Sequence, residues 1–259
     1  LNSQLVFIMR TINGINSNFL DAGLQFPSRV LIESSTKYFK NRTYQPDSKG
    51  LLPTRVEISK FYKDSHPENI LITASTSESY LNIFNILPQN SKILFPKPTY
   101  PLFEYVAKYA NIEYEFYDLE VDYWNINFKN LESKLAIDNN ISAIVIISPN
   151  NPTGSVIGEF EFRKLQNLAI KYNLKLIIDT VFDTFDYKKT TLLTSLPITT
   201  KIEIFWLNGI SKMFALPDLK LAWIYYQNPE ISILDKMETS NDTFLNANYL
   251  SQSIFSEIA

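Results

Sequence analysis

The chain contains no cysteine, so disulfides and thiolate metal sites are both excluded and the redox compartment is not directly readable. A single histidine, His66, stands before Pro67 in a polar stretch and reads as a loop residue exposed to solvent. One histidine makes a His-based zinc site or a Ser-His-Asp hydrolase a poor expectation. There is no excess of basic residues: 24 lysines and arginines against 27 acids give a net charge of −3. No basic face is implied, which argues against a nucleic-acid partner held through phosphate contacts. Long apolar runs are also missing. The longest, 141–147 and 221–226, are far too short to span a bilayer, so no membrane association is expected. Residues 1–10 lack the basic start, apolar core and cleavage site of a signal peptide, and the expected location is cytoplasmic. There is no initiator Met, and the chain stops in mid-pattern at Ile258-Ala259, as a fragment or excised domain would.

What is present is enough for a substantial core. Hydrophobic residues make up 45% of 259, room for one large α/β domain. Residues 1–45 are weakly patterned and read as an N-terminal arm, with an extended segment at 19–26 and a short helix at 30–39. Residues 46–259 read as the main domain. Residues 44–50 form a loop by their turn chemistry, and 51–62 are helical in spacing. From residue 68 the pattern turns regular. Strands are predicted at 69–74, 92–95, 112–117, 141–148, 174–178, 202–207 and 219–226. Helices are predicted at 79–87, 101–110, 131–137 and 159–172. The run 141–148 is continuously apolar, the mark of a strand buried on both faces. Alternating strands and helices of these lengths predict an α/β fold with a mostly parallel, doubly wound sheet.

Ligands of such sheets bind in the crevice outside the carboxyl ends of the strands, so the residues after each apolar run are the informative ones. They are Ser75-Thr76 after the first, Ser148-Pro149-Asn150-Asn151-Pro152-Thr153-Gly154 after 141–147, Asp179 after 174–178, and Trp206-Leu207-Asn208-Gly209-Ile210-Ser211-Lys212 across the end of 202–207. Lys212 is flanked by apolar residues on both sides. One reading is a surface lysine whose stem lies along apolar surface. The other is a lysine set in a pocket to form a Schiff base. Asp179 reads alternatively as an N-cap or surface acid, Asn151 as a simple turn residue, and Ser75-Thr76 as ordinary N-caps.

Three motifs in order, Ser148 to Gly154, then Asp179, then Ser211-Lys212, resemble the class I/II aminotransferases, fold-type I enzymes that use pyridoxal 5′-phosphate. The likeness runs from about Tyr44 to Tyr226 and takes in Leu52-Pro53-Thr54-Arg55 and Pro98-Thr99-Tyr100-Pro101. The resemblance implies a three-layer α/β/α domain with a mostly parallel mixed sheet. It gives Lys212 the Schiff-base role and then that of the base moving a proton between substrate and cofactor, two tasks one flexible amine can perform. Asp179 would keep the pyridine nitrogen protonated, so that the ring acts as an electron sink. Asn151 would bond the ring's 3-oxygen and Tyr100 would stack on its face. Ser75, Thr76 and Ser211 would lie around the phosphate, and Tyr44 would reach the phosphate of the neighbouring subunit in a homodimer. The implied reaction moves an amino group between an amino acid and a 2-oxo acid.

Four positions depart from the family pattern. Phe182 stands where a tyrosine usually donates to the 3-oxygen; related decarboxylases of phosphorylated amino acids also carry Phe there. Lys220 replaces an arginine that grips the phosphate, supplying charge without the bidentate fork; its other reading is an exposed strand lysine. Ser75 replaces a glycine, and Gly209 a phosphate-binding Ser or Thr. No arginine follows Arg163, whereas the family continues into a small domain whose arginine binds the substrate carboxylate. The expectation is therefore the cofactor-binding large domain of a longer enzyme. Decarboxylation on the same scaffold and a non-catalytic aminotransferase-like binding domain stand as alternatives.

Overall fold

The computed structural model describes residues 28–40, 46–185, 193–245 and 247–259. Its centre is a seven-stranded sheet of β1 (Ile70–Thr73), β2 (Lys92–Lys97), β3 (Glu113–Asp118), β4 (Ile141–Ile147), β5 (Lys175–Asp179), β6 (Ile204–Gly209) and β7 (Ala222–Gln227). The spatial order is β1-β7-β6-β5-β4-β2-β3. β7 runs antiparallel to both neighbours and every other pairing is parallel, so six strands point the same way. The sheet is mixed and mostly parallel, as the alternation of strands and helices predicts.

Successive residues of each strand point to opposite faces, and both faces are covered. Ile144 and Ile146 of β4 join Ile72, Leu176, Ile178 and Trp206 in one core. That core is closed by α2 (Leu52–Ser59), α5 (Phe128–Ile137), α6 (Glu159–Tyr172) and α9 (Tyr249–Ile258), which bring Ile58, Leu131, Leu165 and Phe255. Ala143, Val145 and Ile147 of the same strand face the other core with Leu71, Ile177 and Leu207. There α3 (Thr76–Ile86), α4 (Leu102–Tyr109) and α8 (Ile231–Thr243) supply Tyr80, Phe103 and Met237. α1 (Ser28–Lys40) packs on α9, where Lys37 Nζ lies 2.6 Å from Glu257.

Two local differences from the sequence reading have clear causes. α3 begins at Thr76 instead of residue 79, because Ser75 Oγ accepts the Glu78 N–H at 3.2 Å and caps the helix three residues earlier. β7 begins at Ala222 instead of residue 219, because Pro217–Leu219 form a 3₁₀ turn and Lys220 sits at φ +50°. The helices α8 and α9 were not expected at all. Their buried stripes carry polar residues that work as hydrogen-bond anchors, which blurs the apolar period. Asn241 Nδ2 donates to Ser48 O and Ile72 O, both at 2.9 Å. Gln252 accepts the Leu51 N–H and donates to Ala247 O.

Candidate active site

The strand register places most of the singled-out residues on one edge of the sheet. Ala222, at the start of β7, pairs with Thr73 on one side and Gly209 on the other. Ser75-Thr76, Ser211-Lys212 and Lys220 therefore all lie at the same edge, within three residues of those partners. On the next strand Asp179 pairs with Leu207, and the Ser148 N–H donates to Asp179 O at 3.0 Å. The end of β4, and with it the loop holding Asn151, is thereby tied to Asp179. Tyr44 lies outside the described residues.

Asp179 is the most constrained of them. It is 4% exposed, with Oδ2 accepting from the Tyr80 hydroxyl at 2.9 Å and Oδ1 from the Val181 N–H at 3.0 Å. Burial pushes its carboxyl up to about 6. The two donors pull it back down and the neighbouring Asp183 pushes it further up. Asp183 is also raised to about 6, chiefly by burial and against the pull of the Asn208 side chain, and among the described residues its buried Oδ1 has no hydrogen-bond partner. Two carboxylates thus share one turn, and among the described residues no side-chain cation is paired with either.

The turn carrying Lys212 is bolted to that strand end. Asn208, 2% exposed, donates through Nδ2 to Thr180 O at 3.0 Å and accepts the Gly209 N–H on Oδ1 at 2.7 Å. Thr180 answers with its N–H and hydroxyl on Leu207 O. The short helix α7 (Ile210–Met213) follows and packs on the turn Asp183–Phe185. Lys212 is half-buried there, and among the described residues no hydrogen bond or ion pair holds its ammonium. Ser211 is half-buried and Phe182 packs edge-on against Phe185 at 6.0 Å.

The other end of the crevice is the start of α3. The N–H groups of Thr76 and Ser77 and the Thr76 hydroxyl donate to nothing among the described residues, which leaves a helix N-terminus open to an anion. One anion is already there: Glu78 Oε2 accepts the Ala74 N–H at 2.8 Å. Lys220 is exposed and unpaired among the described residues. Gly209 has a steric reason to be glycine, since a Cβ would stand 2.9 Å from Leu221 O and 3.1 Å from Ala222 Cβ. Tyr100 is half-buried, edge-on to Phe103 at 6.2 Å, and Asn151 is half-buried with its amide unbonded among the described residues.

Several participants were not singled out from sequence. Tyr80 lies inside a helix, and only the packing of α3 on the sheet, against β6 and β7, brings its hydroxyl to Asp179. Asn208 could have been found, since a polar residue at the end of an apolar strand needs a partner when buried. Arg55, which the family resemblance takes in without giving it a role, is 4% exposed and holds the loop before α2 by bonds to Gly50 O, Pro67 O, Asp47 and Glu68.

The model of aminotransferase class I and II matches residues 14–254, and the chain belongs to that family. Tyrosine aminotransferase of Dictyostelium discoideum is 26% identical over 254 residues, 94% of this chain and 59% of that protein. An S-alkyl-thiohydroximate lyase of Arabidopsis thaliana is 29% identical over 198 residues, 74% of this chain and 42% of that protein. Among solved structures, alanine aminotransferase from Pyrococcus furiosus superposes with a TM-score of 0.81 at 26% identity, covering 90% of this chain and 61% of the other. The chain thus spans about two fifths to three fifths of the length of such curated relatives. No described helix is long and apolar enough to cross a membrane, and no group of three or more potential metal ligands occurs among the described residues.

Proposed function

We propose that this chain binds pyridoxal 5′-phosphate and supplies the catalytic lysine and ring-binding residues of an aminotransferase acting on an amino acid and a 2-oxo acid. The observation that carries it is Asp179: a buried carboxylate with two hydrogen-bond donors and, among the described residues, no paired cation, on the strand beside the one that leads to Lys212, likewise unpaired among the described residues. Such a carboxylate suits a protonated pyridine nitrogen, which would supply the missing positive charge. The open start of α3 suits a phosphate, with Thr76 and Ser77 as donors and Lys220 and Ser211 nearby at the same edge. The donor set therefore fits the cofactor, although Glu78 opposes a second anion.

When bound, the cofactor provides an electron sink for charge developing on the substrate α-carbon. Lys212 would supply the amine that holds the cofactor through its aldehyde and the base for the substrate α-proton. Asp179 would keep the ring nitrogen protonated, Asn151 would bond the 3-oxygen and Tyr100 would cover one ring face. Phe182 offers no hydroxyl to that oxygen, which leaves Asn151 as its donor and supports a second reading, decarboxylation at the same α-carbon. The reading also includes residues 46–259 as the large domain of a longer enzyme with 1–45 as its entry arm. It further includes a cytoplasmic homodimer in which Tyr44 reaches the phosphate bound by the other subunit.

Pyridoxal phosphate added to the full chain is expected to produce a visible absorbance band, and borohydride to fix the cofactor covalently on the Lys212 peptide. Lys212→Ala is expected to abolish both. A variant that absorbs and is labelled like the wild type would show that Lys212 is not the attachment point.

A further inference from the structure

The ring-nitrogen end of the crevice contains a donor that neither composition nor motif points to. Tyr80 is 1% exposed, four residues after Thr76 on α3, and its hydroxyl lies 2.9 Å from Asp179 Oδ2. Four residues bring a side chain back to the same helix face about 6 Å along the axis. One helix thus presents its open N-terminus to one end of the crevice and the Tyr80 hydroxyl to the other.

The ring of Tyr80 is held edge-on by Phe103 at 4.8 Å and tilted against Phe84 at 5.7 Å, so the hydroxyl cannot turn away from the carboxylate. The other groups that face Asp179 do not substitute for it. Val181 offers a backbone N–H to the other oxygen, Asp183 repels, and Tyr62, which feels the charge of both acids, gives its hydroxyl to the Trp223 Nε1–H as acceptor. Tyr117 belongs to the core on the other face of the sheet, and its hydroxyl donates to Val145 O at 2.9 Å.

Resting on the cofactor reading above, we propose that Tyr80 is a positioning residue that keeps Asp179 ionised and aimed at the ring nitrogen of the bound pyridine. A hydrogen bond to the charged form of an acid favours that form. This one opposes the burial that otherwise drives Asp179 toward protonation. An ordinary buried tyrosine would also need a partner, so the test must separate aiming from packing.

The experiment titrates the full chain and its Tyr80→Phe variant with two ligands by protein fluorescence between pH 5 and 9. One ligand is 4′-deoxypyridoxine 5′-phosphate, which has the ring nitrogen but no aldehyde for Lys212. The other is its deaza analogue, with C–H in place of the ring nitrogen. Tyr80→Phe keeps the packed ring and removes only the donor. Expected are a loss of roughly tenfold in affinity for the pyridine ligand at pH 7, an acid limb moved up by about one pH unit, and no change for the deaza ligand. In an Asp179→Asn background, Tyr80→Phe is expected to add nothing. Equal losses for both ligands, or no loss for either, overturn the proposal while leaving the cofactor reading in place. A wild-type chain that binds neither ligand overturns the cofactor reading and this proposal with it.

Discussion

The two ends of the crevice are built differently. At the ring end, Tyr80, Val181 and Asn208 bond a buried strand terminus from three directions, and every polar atom of Asp179 has a partner. At the phosphate end, Thr76, Ser211 and Lys220 are half-buried or exposed, none is bonded among the described residues, and Glu78 already sits at the helix start. The difference follows from where each end lies. Asp179 belongs to a central strand with neighbours on both sides, so its surroundings are dictated by the core. Ser75 to Glu78 form the start of α3 and Lys220 follows the turn Pro217–Leu219, half-buried or exposed positions that water can satisfy and sequence can vary cheaply. On the reading proposed above, such a site would hold a ring by preorganisation and a charged tail by whatever the surface segments supply.

That contrast is broken most directly at Asp179. Asp179→Asn is expected to reduce affinity for pyridoxal phosphate roughly tenfold to a hundredfold, the scale of a hydrogen bond to a charged group. The same change should stabilise the ligand-free chain. The folded carboxyl titrates near 6 against an ordinary 3.8, so between those values the folded chain retains a proton that the unfolded chain has released. Stability from this group is full below about pH 4 and is lost as pH rises through 6. Denaturant melts of wild type and Asp179→Asn should therefore coincide near pH 4 and separate by on the order of 1–3 kcal/mol at pH 7. Curves that stay parallel at all pH values would mean that Asp179 is not strained by its burial.

A smaller effect sharpens the phosphate end. Gly209→Ser would restore a hydroxyl that relatives of this family often place there, but its Cβ would press on Leu221 O and Ala222. Backbone φ at Gly209 is −176°, so no conformational strain is involved and the cost is steric. A loss of about 1–3 kcal/mol in thermal or chemical denaturation is expected, without tighter phosphate binding. A neutral variant that binds phosphate better would show that the close approach of β6 and β7 can relax.

The smallest change concerns Glu78. Glu78→Gln keeps an acceptor for the Ala74 N–H and removes a negative charge from the start of α3. Inorganic phosphate is expected to bind about twofold to fivefold more tightly at low ionic strength, with the gain disappearing in 0.5 M salt as screening sets in. A gain that survives high salt would point to a rearranged loop and not to a released field.

Much of the fold was legible because the sheet is buried on both faces. The run 141–147 could only be an interior strand, and the helix Glu159–Tyr172 has an uninterrupted stripe through Phe162, Leu165, Leu168 and Ala169, all buried. α8 and α9 were illegible because Asn241, Ser251 and Gln252 sit on their buried faces, and nothing local announces that a distant backbone will receive their hydrogen bonds. Lys212, Asp179, Ser75 and Thr76 stood out because each follows an apolar strand, the place where a parallel sheet presents polar groups. Tyr80 did not, since a tyrosine in a helix next to Phe84 reads as packing.

Composition and order alone therefore determined that this is an α/β chain with a lysine, an aspartate and a helix start at strand ends, because strand polarity and the 3.6-residue period are local properties. The tertiary structure decided which of those residues are held and which are left open. Burial at the centre of the sheet raises Asp179 and recruits Tyr80 and Asn208 to it, while Lys220 and Thr76 at the rim meet solvent. That division depends on distances between residues 99 apart along the chain, and no local pattern encodes them.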